Sequence, residues 1–297
     1  MKKVLVLMAT YNGERYLQQQ LDSLYRQKGV KISVLVRDDG SIDETLEILR
    51  QNAEDHDIRV YSGKHLNVAR GYLDLMKKAE KYDSDYYAFC DQDDVWDDDK
   101  LLQAVNSLNG IDVSALYYCG QRLVDSNLKL IDDHSLNETR SLHTRFVLSD
   151  FAGCTGVFNR KLLEEVNKYN PSYILMHDTW ILKVCLAIGG KVIIDPKPHM
   201  SYRQHGGNTV GLGRSLPAYL RQVRQYMNEY KVEPQMKELL NGYGKEIVPY
   251  YKKIAEACCT YKKNKEAKRF LLDKKNIDFC STGLNLTYRV KVCTNKL

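Results

Sequence analysis

Over its first hundred residues the chain alternates strand and helix patterns, and this alternation constrains its fold more than any other feature. "KVLVLMAT" (3–10) is a continuous apolar run of strand length, and "GERYLQQQLDSLYRQ" (13–27) sets Tyr16, Leu17, Leu21 and Leu24 on one helical face. "KISVLVRDD" reads as the next strand. "SIDETLEILRQNA" opens with Ser41 and Glu44 at capping-box spacing. "IRVYSG", "ARGYLDLMKKAEK" and "DYYAFCDQDD" continue the rhythm. Such alternation implies a mostly parallel sheet with helices on both faces.

From about Asn106 the pattern becomes mixed. "ALYYCGQRLVD" reads as a strand, and "FAGCTGVFNRKLLEEV" as a glycine-bearing loop entering a helix. "HDTWILKVCLAIGG" is a helix ended by glycines, and "KVIIDPKP" a strand stopped by proline. Beyond "SYRQHGGNTVG" the chain is helical, charged and tyrosine-rich. The expected organisation is an α/β domain over 1–212 and a basic helical C-terminal appendage over 213–297. The α/β domain divides into halves at 1–105 and 106–212.

Composition narrows the function classes. With 297 residues, 43% hydrophobic and 28% charged, the chain is of ordinary globular type. The apolar run Val4–Ala9 is shorter than the roughly 7–15 residues of a signal-peptide core, so a cytoplasmic protein is expected. Eight cysteines show no CxxC pair and no zinc spacing, and read as small buried apolar residues. Residues 1–150 carry 19 basic and 26 acidic side chains, a net of −7, whereas residues 151–297 carry 25 and 12, a net of +13. Two readings of the basic tail stand: solvated helix faces, or a surface held against a phosphorylated substrate or against anionic lipid at the inner face of the plasma membrane. No nucleic-acid-binding module accompanies the charge.

Polar residues gather where the strands end, the place where open α/β sheets bind ligands. The first loop lacks GxGxxG, and GxxxxGK[ST] is absent. In "FCDQDDVWDDDK" the acids separate into two groups. Asp97, Asp98 and Asp99 precede "KLLQAVNSL" and suit a helix's first turn. Asp91, Asp93 and Asp94 lie on the strand end and its turn, where hard oxygen ligands on one side suit Mg²⁺ or Mn²⁺. An EF-hand is excluded, because Val95 and Trp96 stand where an oxygen ligand and glycine are required.

"ATYNGERYLQQQLDSL", "VRDDGSIDET", "CDQDDVW", "HDTW" and "YRQHGGN", in this order, resemble the family 2 glycosyltransferases of GT-A fold. Within that family the chain is most similar to bacterial rhamnosyltransferase-like enzymes. The resemblance covers roughly residues 1–212. It implies a metal-dependent, inverting sugar transfer from a UDP- or dTDP-linked donor to a hydroxyl of a saccharide or lipid-linked saccharide. Envelope polysaccharide synthesis is the setting it implies.

Carried over by motif, Tyr11 packs on the base, with Thr10, Asn12 and Glu14 in the same loop. Asp39 accepts from the base imide and is preferred to its neighbour Asp38, for which holding the loop is the alternative role. Arg70 lies near the nucleotide, with Asn67 in the left-handed conformation of a usual glycine. Asp93 ligates the metal, Asp91 contacts ribose or a metal-bound water, and Gln92 reaches ribose or sugar. Asp178 matches the catalytic base; from the residues alone the N-cap of the helix it opens is the stronger reading, and the two roles need not exclude each other. His205 is a further metal ligand or phosphate donor in a glycine-bearing loop, and Arg203 neutralises the leaving group. Gly153, Cys154, Thr155 and His177 fall on the acceptor side. Two rival functions remain: a catalytically silent sugar-binding scaffold, and a sugar-phosphate nucleotidyltransferase. The latter wants a basic glycine-rich first loop, which "ATYNGERY" does not supply.

Overall fold

The computed structural model describes residues 1–134, 136, 138–205 and 230–297. The expected boundary at residue 212 and the glycines after His205 lie outside them. Three parallel pairings build the first half. β1 (Lys2–Thr10) runs between β2 (Val30–Asp38) and β4 (Tyr86–Cys90), and β3 (Ile58–Ser62) lies outside β2. The helices between them are α1 (Leu17–Tyr25), α2 (Thr45–Asp55) and α3 (Val68–Ala79). Thr10 is in register with Asp38 and Met8 with Cys90, so the loops after β1, β2 and β4 leave the sheet at one edge.

The second half makes the sheet mixed. β6 (Ala115–Val124) and β8 (Gly156–Asn159) are antiparallel, and β8 joins β6 to β4. β9 (Lys191–Arg203) runs parallel to β6, β5 (Val95–Trp96) pairs with the far part of β9, and β7 (Leu130–His134) pairs with β6. The strand order is β3-β2-β1-β4-β8-β6-β9-β5, with β7 off this path.

The sequence reading ended β9 at its prolines, yet the strand continues past Pro196 and Pro198. Register breaks between Cys119 and Gly120 and between Gly120 and Arg122 absorb the residues that cannot donate.

Because successive strand residues face opposite sides, β1 supplies two cores at once. Val4, Val6 and Met8 pack with α1, α2 and α4 (Lys100–Leu108) through Leu17, Leu21, Leu49 and Leu101. Leu5 and Leu7 face the other layer. That layer comprises α3, α5 (Leu142–Val147), α6 (Arg160–Asn167), α7 (His177–Ala187), α8 (Val232–Tyr243), α9 (Pro249–Thr260), α10 (Lys265–Leu272) and α11 (Thr282–Cys293). Trp180, Met236, Ile254, Leu271 and Val292 belong to this one apolar cluster, so the C-terminal helices share their core with α7. Gly189, at φ +75°, closes α7 in the left-handed conformation.

Two local expectations are corrected. Ser41 and Glu44 form no capping box: α2 starts at Thr45, and the Ser41 hydroxyl donates to Asp38 Oδ2 at 2.6 Å instead. Asp97, Asp98 and Asp99 precede α4 rather than fill its first turn. Asp97 pairs with Arg122 and Asp98 with Arg26 and Lys28, so ion pairs hold these two acids, while Asp99 stands at the N-cap and accepts from Gln103 Nε2 at 2.9 Å. Five of the eight free cysteines are buried, consistent with their reading as core residues. No described helix is long and apolar enough to cross a membrane.

Candidate active site

A cavity of about 890 Å³ opens at the sheet edge where β1, β2 and β4 end. From the first half it is lined by Thr10, Tyr11, Asp39, His65, Asp91, Gln92 and Asp93. From the second half it is lined by Gln121, Asp150, Gly153, Cys154, Thr155, His177 and Asp178. Asn12, Glu14, Arg70, Arg203 and His205 are not among its lining residues.

The two neighbouring aspartates after β2 do different work. Asp38 is fully buried and accepts from Thr10 Oγ1 (2.9 Å), Ser41 Oγ (2.6 Å) and the Gly40 and Ser41 N–H groups, which ties the loop down. Asp39 pairs with Arg37, accepts from Leu66 N (3.2 Å) and faces the cavity. Tyr11 is 48% exposed, and its ring lies 4.9 Å from that of His65. The pair forms an open aromatic wall beside Asp39.

Several expected contact residues spend their polar groups on the scaffold. Asn12, at φ +47°, donates its N–H to Ser41 Oγ and accepts from Ile42 N. Glu14 Oε2 accepts from Glu44 N at the start of α2. The Gln92 amide is bonded both ways to the Tyr11 backbone, at 2.9 and 3.1 Å, and so clamps the first loop to the β4 turn. The Arg70 guanidinium donates to the Pro171 and Ser172 carbonyls, both at 2.6 Å. Asn67 is not left-handed: at φ −68° it caps α3, accepting from Arg70 N. Arg203 is buried, donating to the Asp93 and Ser126 carbonyls and to Gln19 Oε1, with its backbone N–H on Asp94 Oδ1. It braces the acidic turn.

That turn concentrates negative charge. Burial, then repulsion from Asp93, raises Asp91 to about 6, although Tyr72 donates to its Oδ1 at 2.9 Å. The same causes push Asp94 well above the carboxylate range, and its Oδ2 has no hydrogen-bond partner among the described residues. Asp93 Oδ2 lies 2.6 Å from His205 Nε2, bringing together two groups 112 positions apart. An oxygen and an imidazole nitrogen converge beside two destabilised carboxylates, a donor set that fits a divalent cation. The Cys154 thiol lies with the Asp91 and Asp94 carboxylates, all three donor atoms within 4.8 Å of one another.

Asp178 is in the first turn of α7 but is not its N-cap, which is Met176. Its Oδ2 accepts from Gly153 N at 3.1 Å, and its Oδ1 faces the Thr179 N–H. Burial raises it to about 6 despite these bonds. Along the same helix, burial lowers Lys183 to about 7. His177 stacks on Tyr72 (centroids 3.9 Å, 22°) and meets the edge of Phe89; burial pulls it down to about 3, so its ring stays neutral.

Gly153 is sterically required here, since a Cβ would lie 2.5 Å from His177 Nε2. Gly153→Ala is expected to destabilise the fold by about 1–3 kcal/mol and to displace the N–H that holds Asp178. Denaturant unfolding should show a lower midpoint, with a larger fractional loss of activity than the unfolded population explains.

The sequence reading missed Gln121, buried with its Oε1 unpartnered among the described residues, and Tyr72, which spans Asp91 and His177. It also missed Arg140, Tyr230 and Leu284, which line the cavity from distant positions without any local motif.

Residues 5–166 match the sequence model described as "Glycosyl transferase family 2". The dTDP-rhamnosyl transferase RfbG of Shigella flexneri is 30% identical over 238 residues, spanning 75% of this chain and 80% of that protein. Among solved structures, S. aureus TarS 1-349 in complex with UDP-GlcNAc aligns with a TM-score of 0.60 at 16% identity, covering 99% of this chain and 89% of that one. The mannosyltransferase PcManGT from Pyrobaculum calidifontis, in complex with GDP-Man and Mn²⁺, aligns with a TM-score of 0.55 at 18% identity, covering 99% and 87%. These structures share the GT-A fold. With the family match over more than half its length and a relative at that identity, the chain belongs to glycosyltransferase family 2.

Proposed function

We propose that this glycosyltransferase moves a hexose, rhamnose being the first candidate, from a UDP- or dTDP-linked donor to a hydroxyl of a saccharide or lipid-linked saccharide, with inversion. The observation that carries the reading is Asp178: a buried carboxylate raised to about 6, held at the cavity wall by Gly153 N. It is poised to take a proton near neutral pH. The S. flexneri relative, by its name, uses a dTDP-linked rhamnosyl donor, and TarS was solved with UDP-GlcNAc and with UDP. Envelope polysaccharide synthesis on the cytoplasmic side is the setting we assign.

In this reading the Tyr11 ring takes the base face and Asp39 accepts from its imide N–H. Asp93 and His205 hold a divalent cation, Mn²⁺ or Mg²⁺, which when bound supplies Lewis-acid neutralisation of the leaving diphosphate. Arg203 positions Asp93 through its carbonyl, and Tyr72 orients Asp91. Asp178 removes the acceptor proton as that oxygen attacks the anomeric carbon from the side opposite the diphosphate. The Gly153 N–H fixes the carboxylate for that approach. Glu14, Asn12, Gln92 and Arg70 act by keeping loops in place. Residues 206–212, expected to close over the diphosphate, lie outside the described residues.

The anomeric configuration of the product tests the scheme. One-dimensional proton NMR of the transfer product should show the configuration opposite to the donor's. Retention would rule out a single displacement with Asp178 as base.

A further inference from the structure

The cavity has a charged corner that the scheme above leaves unused. Asp150 lies in the wall, and two arginines converge on it: Arg145 Nε donates to Oδ1 at 2.9 Å, and Arg140 NH1 approaches Oδ2 at 3.3 Å. Tyr118 OH is 3.3 Å from the same Oδ1. Two guanidinium groups against one carboxylate leave a local charge of +1.

The arginines are not equivalent. Arg145 is 1% exposed and its NH1 donates to the Arg140 carbonyl, so it is part of the scaffold. The Arg140 side chain is 11% exposed and lines the cavity, and its buried Nε–H has no acceptor among the described residues. A guanidinium is a planar fork of five N–H donors, suited to two oxygens of one anion. The enclosed Nε–H is out of a ligand's reach, so the part of the fork available to an anion is the exposed end that lines the cavity. Leu136, Phe151, Tyr230 and Leu284 line the same cavity and suit the apolar faces of a sugar or alkyl chain.

We infer that Arg140 forms an anion subsite for the acceptor, so that the preferred acceptor carries a phosphate or carboxylate near the hydroxyl that is glycosylated. This rests on the transferase reading above and names its acceptor class. Asp150 and Gly153 are three residues apart in one segment, and Gly153 N holds Asp178. An anion seated on Arg140 therefore docks against the segment that fixes the base, and brings the acceptor into register with it. A phosphate of a lipid-linked saccharide and a uronic acid carboxylate share this chemistry.

Three short probes separate the possibilities: octyl β-glucoside, octyl β-glucuronide and octyl glucosyl diphosphate, each titrated by calorimetry into the full chain with UDP or dTDP and Mn²⁺ present. At least one anionic probe should bind about tenfold or more tighter than the neutral glucoside. Which one does so identifies the phosphate or the carboxylate as the source. Arg140→Gln should abolish that preference, and Arg140→Lys should retain part of it, since charge without the fork still attracts the anion.

Equal binding of all three probes by the wild-type chain overturns the inference, as does an unchanged preference in a folded Arg140→Gln protein. Nucleotide affinity is read in a separate titration. A failure of the donor site is therefore distinguishable from a failure of the anion subsite.

Discussion

Replacing Asp178 by asparagine is expected to lower sugar transfer by about 10²–10⁴-fold while leaving nucleotide affinity within twofold of wild type. The amide keeps an oxygen for the Gly153 N–H and keeps the side chain's shape, so the loop should stay in place, while its NH2 replaces the acceptor at the Thr179 N–H and the proton acceptor is lost. In the wild type, kcat/KM should rise with pH and level off above about 6, where Asp178 is ionised. Below that value it should fall about tenfold per pH unit. The variant should lack this acid limb.

A stability effect of opposite sign accompanies it. The folded state raises this carboxyl from 3.8 to about 6, so ionisation disfavours folding. The cost is absent below pH 4, grows between 4 and 6, and is complete above 6. Asp178→Asn should accordingly be more stable than wild type at pH 7–8, by up to about 3 kcal/mol, and close to it at pH 4. A thermal scan at both pH values reads this directly. Loss of activity with gain of stability separates a functional carboxylate from a structural one, which would lose both.

The second large effect concerns Asp93. Asp93→Ala should reduce transfer by about 10²–10³-fold at saturating Mn²⁺, and should make the remaining rate indifferent to Mn²⁺ concentration. The reason is local: Asp93 is the carboxylate that meets His205, and it contributes repulsion to both Asp91 and Asp94. Its removal eases the folded state while taking away a ligand. His205→Ala should shift the metal dependence in the same direction to a smaller extent, because the carboxylate remains.

The parts of the fold that were legible in the sequence are those whose physics is local. β1, β2 and β4 are apolar runs long enough to be read as buried parallel strands, and α1 and α3 carry helical periodicity. The parts that were not legible depend on distant partners. β8 is four residues and β5 only two, too short for any period, and each exists because a neighbouring strand offers its edge. β9 passes two prolines because β6 bulges beside it, which the sequence around Pro196 does not encode.

The candidate site divides along the same line. Residue types at a strand end pointed to Asp91, Asp93 and Asp94, whereas Asp39 and Asp178 were reached only through the family resemblance. Where a side chain spends its hydrogen bonds was not readable. Gln92 and Arg70 match a nucleotide-site motif, yet their donors are committed to Tyr11, Pro171 and Ser172 carbonyls. The wall formed by Arg140, Tyr230 and Leu284 needs the C-terminal helices to pack on the core of α7, and composition had set those helices apart as an appendage.

The most direct test of the account is calorimetric titration of UDP and dTDP into wild type, Asp93→Ala and Asp178→Asn, each with and without Mn²⁺. The account predicts binding that requires Mn²⁺, disappears in Asp93→Ala and persists in Asp178→Asn, with the tighter nucleotide naming the donor class. Binding that is independent of the metal, or that survives in Asp93→Ala and is lost in Asp178→Asn, would contradict the assignment of donor and base to these two carboxylates.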